Sequence, residues 1–179
     1  MYRKWSARKG ERMFHQILVA TDGSALSNLA LPYAADLARH YDSALTLLYV
    51  IPPIPDAAYE GAFTYTYNPK ERVKQLAEAD RIIKDALAQL NYPGTRAIKA
   101  AGHATPVAEV IVSEVKQAHA DLVVMSTHGR TGLAHLFYSS VAEAVMQKIN
   151  VPLFLIRDPA SQRLSRSWRS ETPRTQPFH

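Results

Sequence analysis

A chain of 179 residues with 47% hydrophobic content is long enough for one domain around a single core. It has no cysteine, which excludes disulfides and thiolate chemistry, and no apolar run long enough to span a bilayer. The net charge of +5 is concentrated at the ends: residues 1–14 carry +4 and residues 158–179 carry +2, leaving −1 between them.

This distribution does not support a folded basic face for nucleic acid. Residues 1–13 and 158–179 are expected to be flexible basic tails, able to touch acidic partners or simply solvated, around a folded domain at 14–157. The basic start lacks the apolar segment of a secretory signal, so the expected compartment is the cytoplasm.

Ile17–Ala20 reads as a first strand, ending at Thr21–Asp22–Gly23–Ser24. A helix follows to about Tyr41, with Leu26, Leu29, Ala30, Tyr33, Leu37 and Tyr41 at helical spacing. Pro32 inside it predicts a kink or a late start. Ala44–Ile51 is the second strand. The loop from Pro52 to Asn68 is rich in proline and aromatics, and reads equally as a lid or as a packing surface.

From Pro69 to Leu90 the spacing predicts an amphipathic helix with Val73, Leu76, Ala79, Ile83, Leu87 and Leu90 inward. Asp80 with Lys84, and Arg81 with Asp85, are expected to pair on its outer side. Thr95–Ala101 alternates weakly and reads as a third strand near a sheet edge. Thr105 is expected to cap the next helix, with Pro106 at its first position and Val107, Val110, Ile111, Val115 and Ala118 inward.

Leu122–Met125 is a fourth buried strand, followed by a glycine-containing loop from Ser126 to about Tyr138. Ser140 and Glu143 have capping-box spacing and open a helix with Val141, Val145 and Ile149 on one face. Val151–Ile156 is the last strand. Strand and helix alternate without a tight hairpin, so the fold class is α/β: a Rossmann-like open parallel sheet with helices on both faces.

The last third has the physics of an anion site, because free backbone N–H groups and the helix dipole converge where loop meets helix. Its residues also carry a resemblance. Met125–Ser126–Thr127–His128–Gly129–Arg130–Thr131–Gly132–Leu133, then Ser139–Ser140–Val141–Ala142–Glu143 and Val151–Pro152–Leu153, resembles the signature end of the universal stress proteins. The likeness runs from about Phe14 to Arg157.

Nucleotide-binding members of that family carry G-x2-G-x9-G-[S/T]. Here the glycine positions fall on Ser126, Gly129 and Ser139, with Ser140 as the hydroxyl, so one glycine of three is kept at intact spacing. The resemblance implies five strands in the order 3-2-1-4-5 and homodimers pairing through the last strand. It also implies an adenine-nucleotide ligand, ATP above all, with Mg or Mn held through the phosphates. A second branch of the family lacks the glycines and does not hold ATP; Ser139–Ser140 resembles that branch, whereas Thr127–Arg130 resembles the first. Two readings follow: an ATP-binding sensor or regulator in stress response, and a dimerisation and interaction module without nucleotide.

In a sheet of this order ligands bind outside the carboxyl ends of the strands, where strand order reverses. By local spacing Asp22 serves equally as an acceptor for ribose hydroxyls or as a helix-start residue. The resemblance favours the first, since Ala20–Thr21–Asp22 matches the segment lining the adenosine pocket and Val50 its apolar contact to adenine. Gly129, Arg130 and Gly132 form the phosphate side: glycine lets amides approach oxygens closely, and Arg130 offers charge-assisted hydrogen bonds. Turn geometry and a solvated charge are the plainer explanations of the same residues. The hydroxyl of Ser140 suits phosphate contact or capping. Met125, Ser126, Ser139 and Val141 complete the nucleotide-binding set that the resemblance implies.

His103, His128 and His135 lack the spacing of a metal site, and no serine sits in a G-x-S-x-G elbow. Neither G-x-x-x-x-G-K-[ST] nor a pyrophosphatase loop is present, so no catalytic residue is assigned and slow ATP hydrolysis ranks after both binding readings. Ser139 adds a Cβ where the pattern has glycine beside the phosphates. Ser139→Gly is therefore expected to tighten ATP by up to about tenfold, or about 1.4 kcal/mol, and to leave adenosine affinity little changed. Parallel titrations of both ligands check this.

Overall fold

The computed structural model describes residues 12–52, 69–101, 105–127 and 140–157. The basic segments at either end, the loop at 53–68, His103 and the glycine-containing segment 128–139 lie outside the described residues.

Five strands alternate with four helices: β1 (Gln16–Thr21), α1 (Ala30–Tyr41), β2 (Ala44–Ile51), α2 (Pro69–Leu90), β3 (Arg96–Ala101), α3 (Val107–Gln117), β4 (Leu122–Ser126), α4 (Ser140–Lys148) and β5 (Leu153–Ile156). The strands form one parallel sheet in the order β3-β2-β1-β4-β5. Both faces are covered, which is why β1, β2 and β4 read as near-continuous apolar runs. Successive side chains alternate between two cores. Ile17, Val19, Leu45, Leu47 and Val124 pack with the alanines of α1 and with Ala86 and Leu90 of α2. Leu18, Leu48 and Val123 face the other way, onto Val110, Ile111 and Val115 of α3 and Val145 of α4.

Asp121 ties the two halves at the foot of the sheet. Its Oδ2 accepts the His15 N–H at 2.8 Å and its Oδ1 the Gln16 N–H at 3.0 Å, so the chain enters β4 held to the start of β1. Among the described residues no helix is long and apolar enough to cross a membrane.

The structure decides several expectations in detail, bearing some out and correcting others. Pro32 gives a late start and no break: a 3-10 turn at Ser27–Leu29 precedes α1, and Pro32 lies in the first helical turn, where its missing N–H has no intrahelical partner to lose. The inward face of α1 is Ala30, Leu31, Ala34, Ala35 and Ala38, while Tyr33 is 50% exposed. Four alanines allow a close approach to the sheet that a tyrosine on that face would prevent.

In α2 the expected Ala79 and Leu90 are buried, Leu76, Ile83 and Leu87 pack half-buried on the core, Ile82 and Ala86 join the buried stripe, and only Val73 is left exposed. Arg81 reaches Asp85 at 4.0 Å, but Asp80 pairs with Lys99 of β3 instead of Lys84, across elements rather than along the helix. Pro106, not Thr105, is the N-cap of α3; its ψ of 140° is extended, so the helix starts one residue later than expected. Strand β5 is shorter than its apolar run, beginning at Leu153.

Gly23, just past β1, has φ of +79°, and a Cβ there would stand 2.7 Å from Cγ2 of Ile82. Ile82 is buried and β-branched, so it has little room to yield. Gly94 has a similar φ of +73° but open space around it. Gly23→Ala should cost about 2–4 kcal/mol, combining left-handed strain with overpacking. Gly94→Ala should cost only about 1 kcal/mol. Urea denaturation of the two variants, side by side, measures the difference.

Candidate functional site

The chain runs from β1 outward to β3 and then crosses to the other side of β1 for β4 and β5, so strand order reverses between β1 and β4. The ladder between those two strands stops at Val19–Val124. Each strand continues two residues further, paired only to its outer neighbour: Thr21 with Tyr49, and Ser126 with Ile156. The sheet therefore parts at its carboxyl edge, at the switch point where α/β sheets take ligands.

The floor beside this gap is apolar. Ala20, Val50 and Met125 lie on the same sheet face, within the core shared with α3 and α4, and Val141 of α4 packs against them half-buried. Ala20, Val50 and Met125 are buried, as are Leu18, Leu48 and Val123 one pleat below. The apolar core thus extends to the carboxyl edge, with four of the expected site residues in one cluster.

On the opposite face the end of β1 is fastened by hydroxyls. Thr21 Oγ1 lies 2.8 Å from Ser27 Oγ and 2.6 Å from Asn28 Oδ1, and accepts the Gly23 N–H at 3.0 Å. Ser27 Oγ accepts the Asp22 N–H at 3.2 Å and donates to the Ser24 carbonyl at 3.1 Å. Two hydroxyl protons thus face three acceptor contacts. Thr21 donates to Asn28 Oδ1, so the single Ser27 proton is shared between Thr21 Oγ1 and the Ser24 carbonyl.

Asp22 is half-buried, and its Oδ1 accepts the Ser24 N–H at 2.9 Å. This is an Asx turn, which fixes the carboxylate beside the gap. Asp22 is not a helix cap, since the 3-10 turn is entered through Leu26 and α1 through Leu29.

Ser126 and Thr127 are buried at the end of β4, and the Thr127 N–H donates to the Ile156 carbonyl at 2.9 Å. Ser140 opens α4. Gly129, Arg130, Gly132 and Ser139, with His128 and His135, lie outside the described residues. Among the described residues no group of three or more His, Cys, Asp or Glu is placed to hold a metal ion. Sequence reasoning missed Ser24, Ser27 and Asn28. The available signal was a run of hydroxyl and amide side chains directly after a buried strand, the composition that bonds local backbone in place of a helix.

Residues 13–157 match the model of the universal stress protein family. A universal stress protein of Methanocaldococcus jannaschii is 28% identical over 157 residues, which are 87% of this chain and 89% of that protein. A solved universal stress protein in complex with cAMP superposes with a TM-score of 0.59 at 18% identity, over 80% of this chain and 97% of that one. The universal stress protein of Archaeoglobus fulgidus in complex with dAMP gives 0.55 at 20% identity, over 80% and 98%. At these identities the solved structures speak to the fold.

Proposed function

We propose that this chain, which belongs to the universal stress protein family, binds an adenine nucleotide at the β1–β4 gap and acts as a nucleotide-responsive regulator in stress response. The observation that carries this reading is the parting of β1 and β4 two residues before their ends, beside an apolar floor. Adenine would lie on Ala20, Val50 and Met125, and the ribose hydroxyls would donate to Asp22. Two relatives of the same fold are in complex with cAMP and dAMP, which supports the adenine class.

ATP is the nucleotide we assign. Its phosphates would meet Gly129, Arg130, Gly132, Ser139, Ser140 and the start of α4, with Ser126 and Val141 flanking and Mg or Mn held through phosphate oxygens. The dipole at the helix start favours that charge. Binding and not turnover is the role proposed, in the cytoplasm.

A homodimer through β5 belongs to the same proposal, and also to the second reading, an interaction module without nucleotide. The two sheet edges support it by contrast. Strand β3 presents exposed Arg96 and Lys99, the kind of charge that discourages strand pairing, while β5 is Leu-Phe-Leu-Ile without charge. Phe154 of β5 is 43% exposed, with the exposed Tyr33 ring 6.2 Å away, so an aromatic patch borders that edge.

Asp22→Ala should weaken adenine-nucleotide binding by about 1–3 kcal/mol, the range for a lost charge-assisted hydrogen bond, with the domain still folded. Calorimetric titration beside far-UV circular dichroism tests it, and unchanged affinity would remove Asp22 from the site. Leu155→Lys should shift the light-scattering mass from dimer toward monomer at micromolar protein. A monomeric wild type would sink the dimer.

A further inference from the structure

We propose a second ligand site, for a small amphipathic monocarboxylate, in the cavity between the C-terminal ends of α3 and α4. It lies at the foot of the sheet, where the chain enters β4 and β5, at the opposite end from the β1–β4 gap. Its volume is about 260 Å³, and it is half open to solvent. That suits a molecule smaller than the usual drug-sized ligand.

The lining divides into two chemistries. Val112, Val115, Ala120, Ile149 and Val151 make an apolar wall, and Lys116, His119 and Asn150 supply the polar groups. No acidic residue contributes. Ile149 and Val151 are only half-buried, so an occupant's alkyl chain would complete their burial. Lys116 makes no ion pair among the described residues, whereas Lys74, Lys99 and Lys148 each do.

The end of a helix normally offers carbonyls to cations. Here the last carbonyls of α3 are already taken: Glu114 by the Ala118 N–H, Val115 by Ala120 and Lys116 by His119, at 2.8, 3.0 and 3.1 Å. The polar side chains of the lining are an ammonium, an imidazole and an amide, all exposed and each able to donate. A carboxylate complements all three, and one apolar tail complements the wall. An amine of the same length would meet the Lys116 charge, and a neutral alcohol would leave it without a counter-ion.

The test uses the full chain and three probes of one length: hexanoate, hexylammonium and 1-hexanol, followed by amide chemical-shift titration. Hexanoate should shift the Val112–Ala120 and Ile149–Val151 amides saturably, and at least tenfold more tightly than hexylammonium or hexanol. Lys116→Glu, an exposed helix position, should weaken hexanoate at least tenfold with the fold unchanged. Equal binding of all three probes, shifts that fail to saturate, or shifts centred elsewhere would overturn the site. So would binding abolished in proportion to self-association in sedimentation runs, since the cavity would then be a contact between copies of the chain.

Discussion

Strand β1 has neighbours on both edges, and they come from opposite halves of the chain. This constraint creates the candidate site. The backbone of β1 hydrogen-bonds to β2 along its whole length, but to β4 only as far as Val19. A parallel sheet buried on both faces leaves little freedom along the paired part, because a one-residue slip would exchange the two cores. Freedom returns only where pairing stops. There the buried apolar side chains of three strands end together, next to a turn whose carboxylate is fixed by its own backbone.

That turn depends on side chains that never face the gap. Ser27 and Thr21 are buried, and through the Asp22 and Gly23 amides they determine where the chain leaves β1. Gly23 then allows Ile82 of α2 to pack against the same turn. The helix that covers one face of the sheet is thus in contact with the loop that borders the β1–β4 gap. A shift of α2 and a shift of the Asp22 turn cannot be independent, since packed side chains leave no slack between them.

Much of this was legible in the residues. Helix α2 and strand β2 begin and end where their apolar spacing predicts, because long periodic segments and a fully apolar strand carry strong signals. On α1 the expected Ala30, Leu29 and Leu37 do face the core, but Tyr33 was placed inward and Ala34, Ala35 and Ala38 were passed over, although a helix crossing a sheet closely needs small residues. The Asp80 partner was misjudged for a different reason. Spacing along a helix says which residues share a face, but not that a lysine on the neighbouring strand stands nearer. Ala20, Val50, Met125 and Val141, expected at the site by resemblance, are gathered by the fold in one cluster. The hydroxyl network behind Asp22 was not identified, since its partners are visible only once the turn is drawn.

The bond between Asp121 and the start of β1 has a consequence for how the chain is made. The residues it joins are separated by 106 positions, and everything that encloses β1 on that side lies beyond them. On a ribosome working at about 5–20 residues per second, roughly 5–20 s pass between the emergence of β1 and that of its second neighbour. During that interval a strand that ends up buried on both faces has one edge open. Of the five strands, the first to be synthesised is the middle one of the finished sheet, so the nascent chain must hold β1 against β2 and α1 before its centre can close. Contacts of such long range place the fold among the slow ones, with its exposed edge the feature a nascent-chain chaperone would meet first.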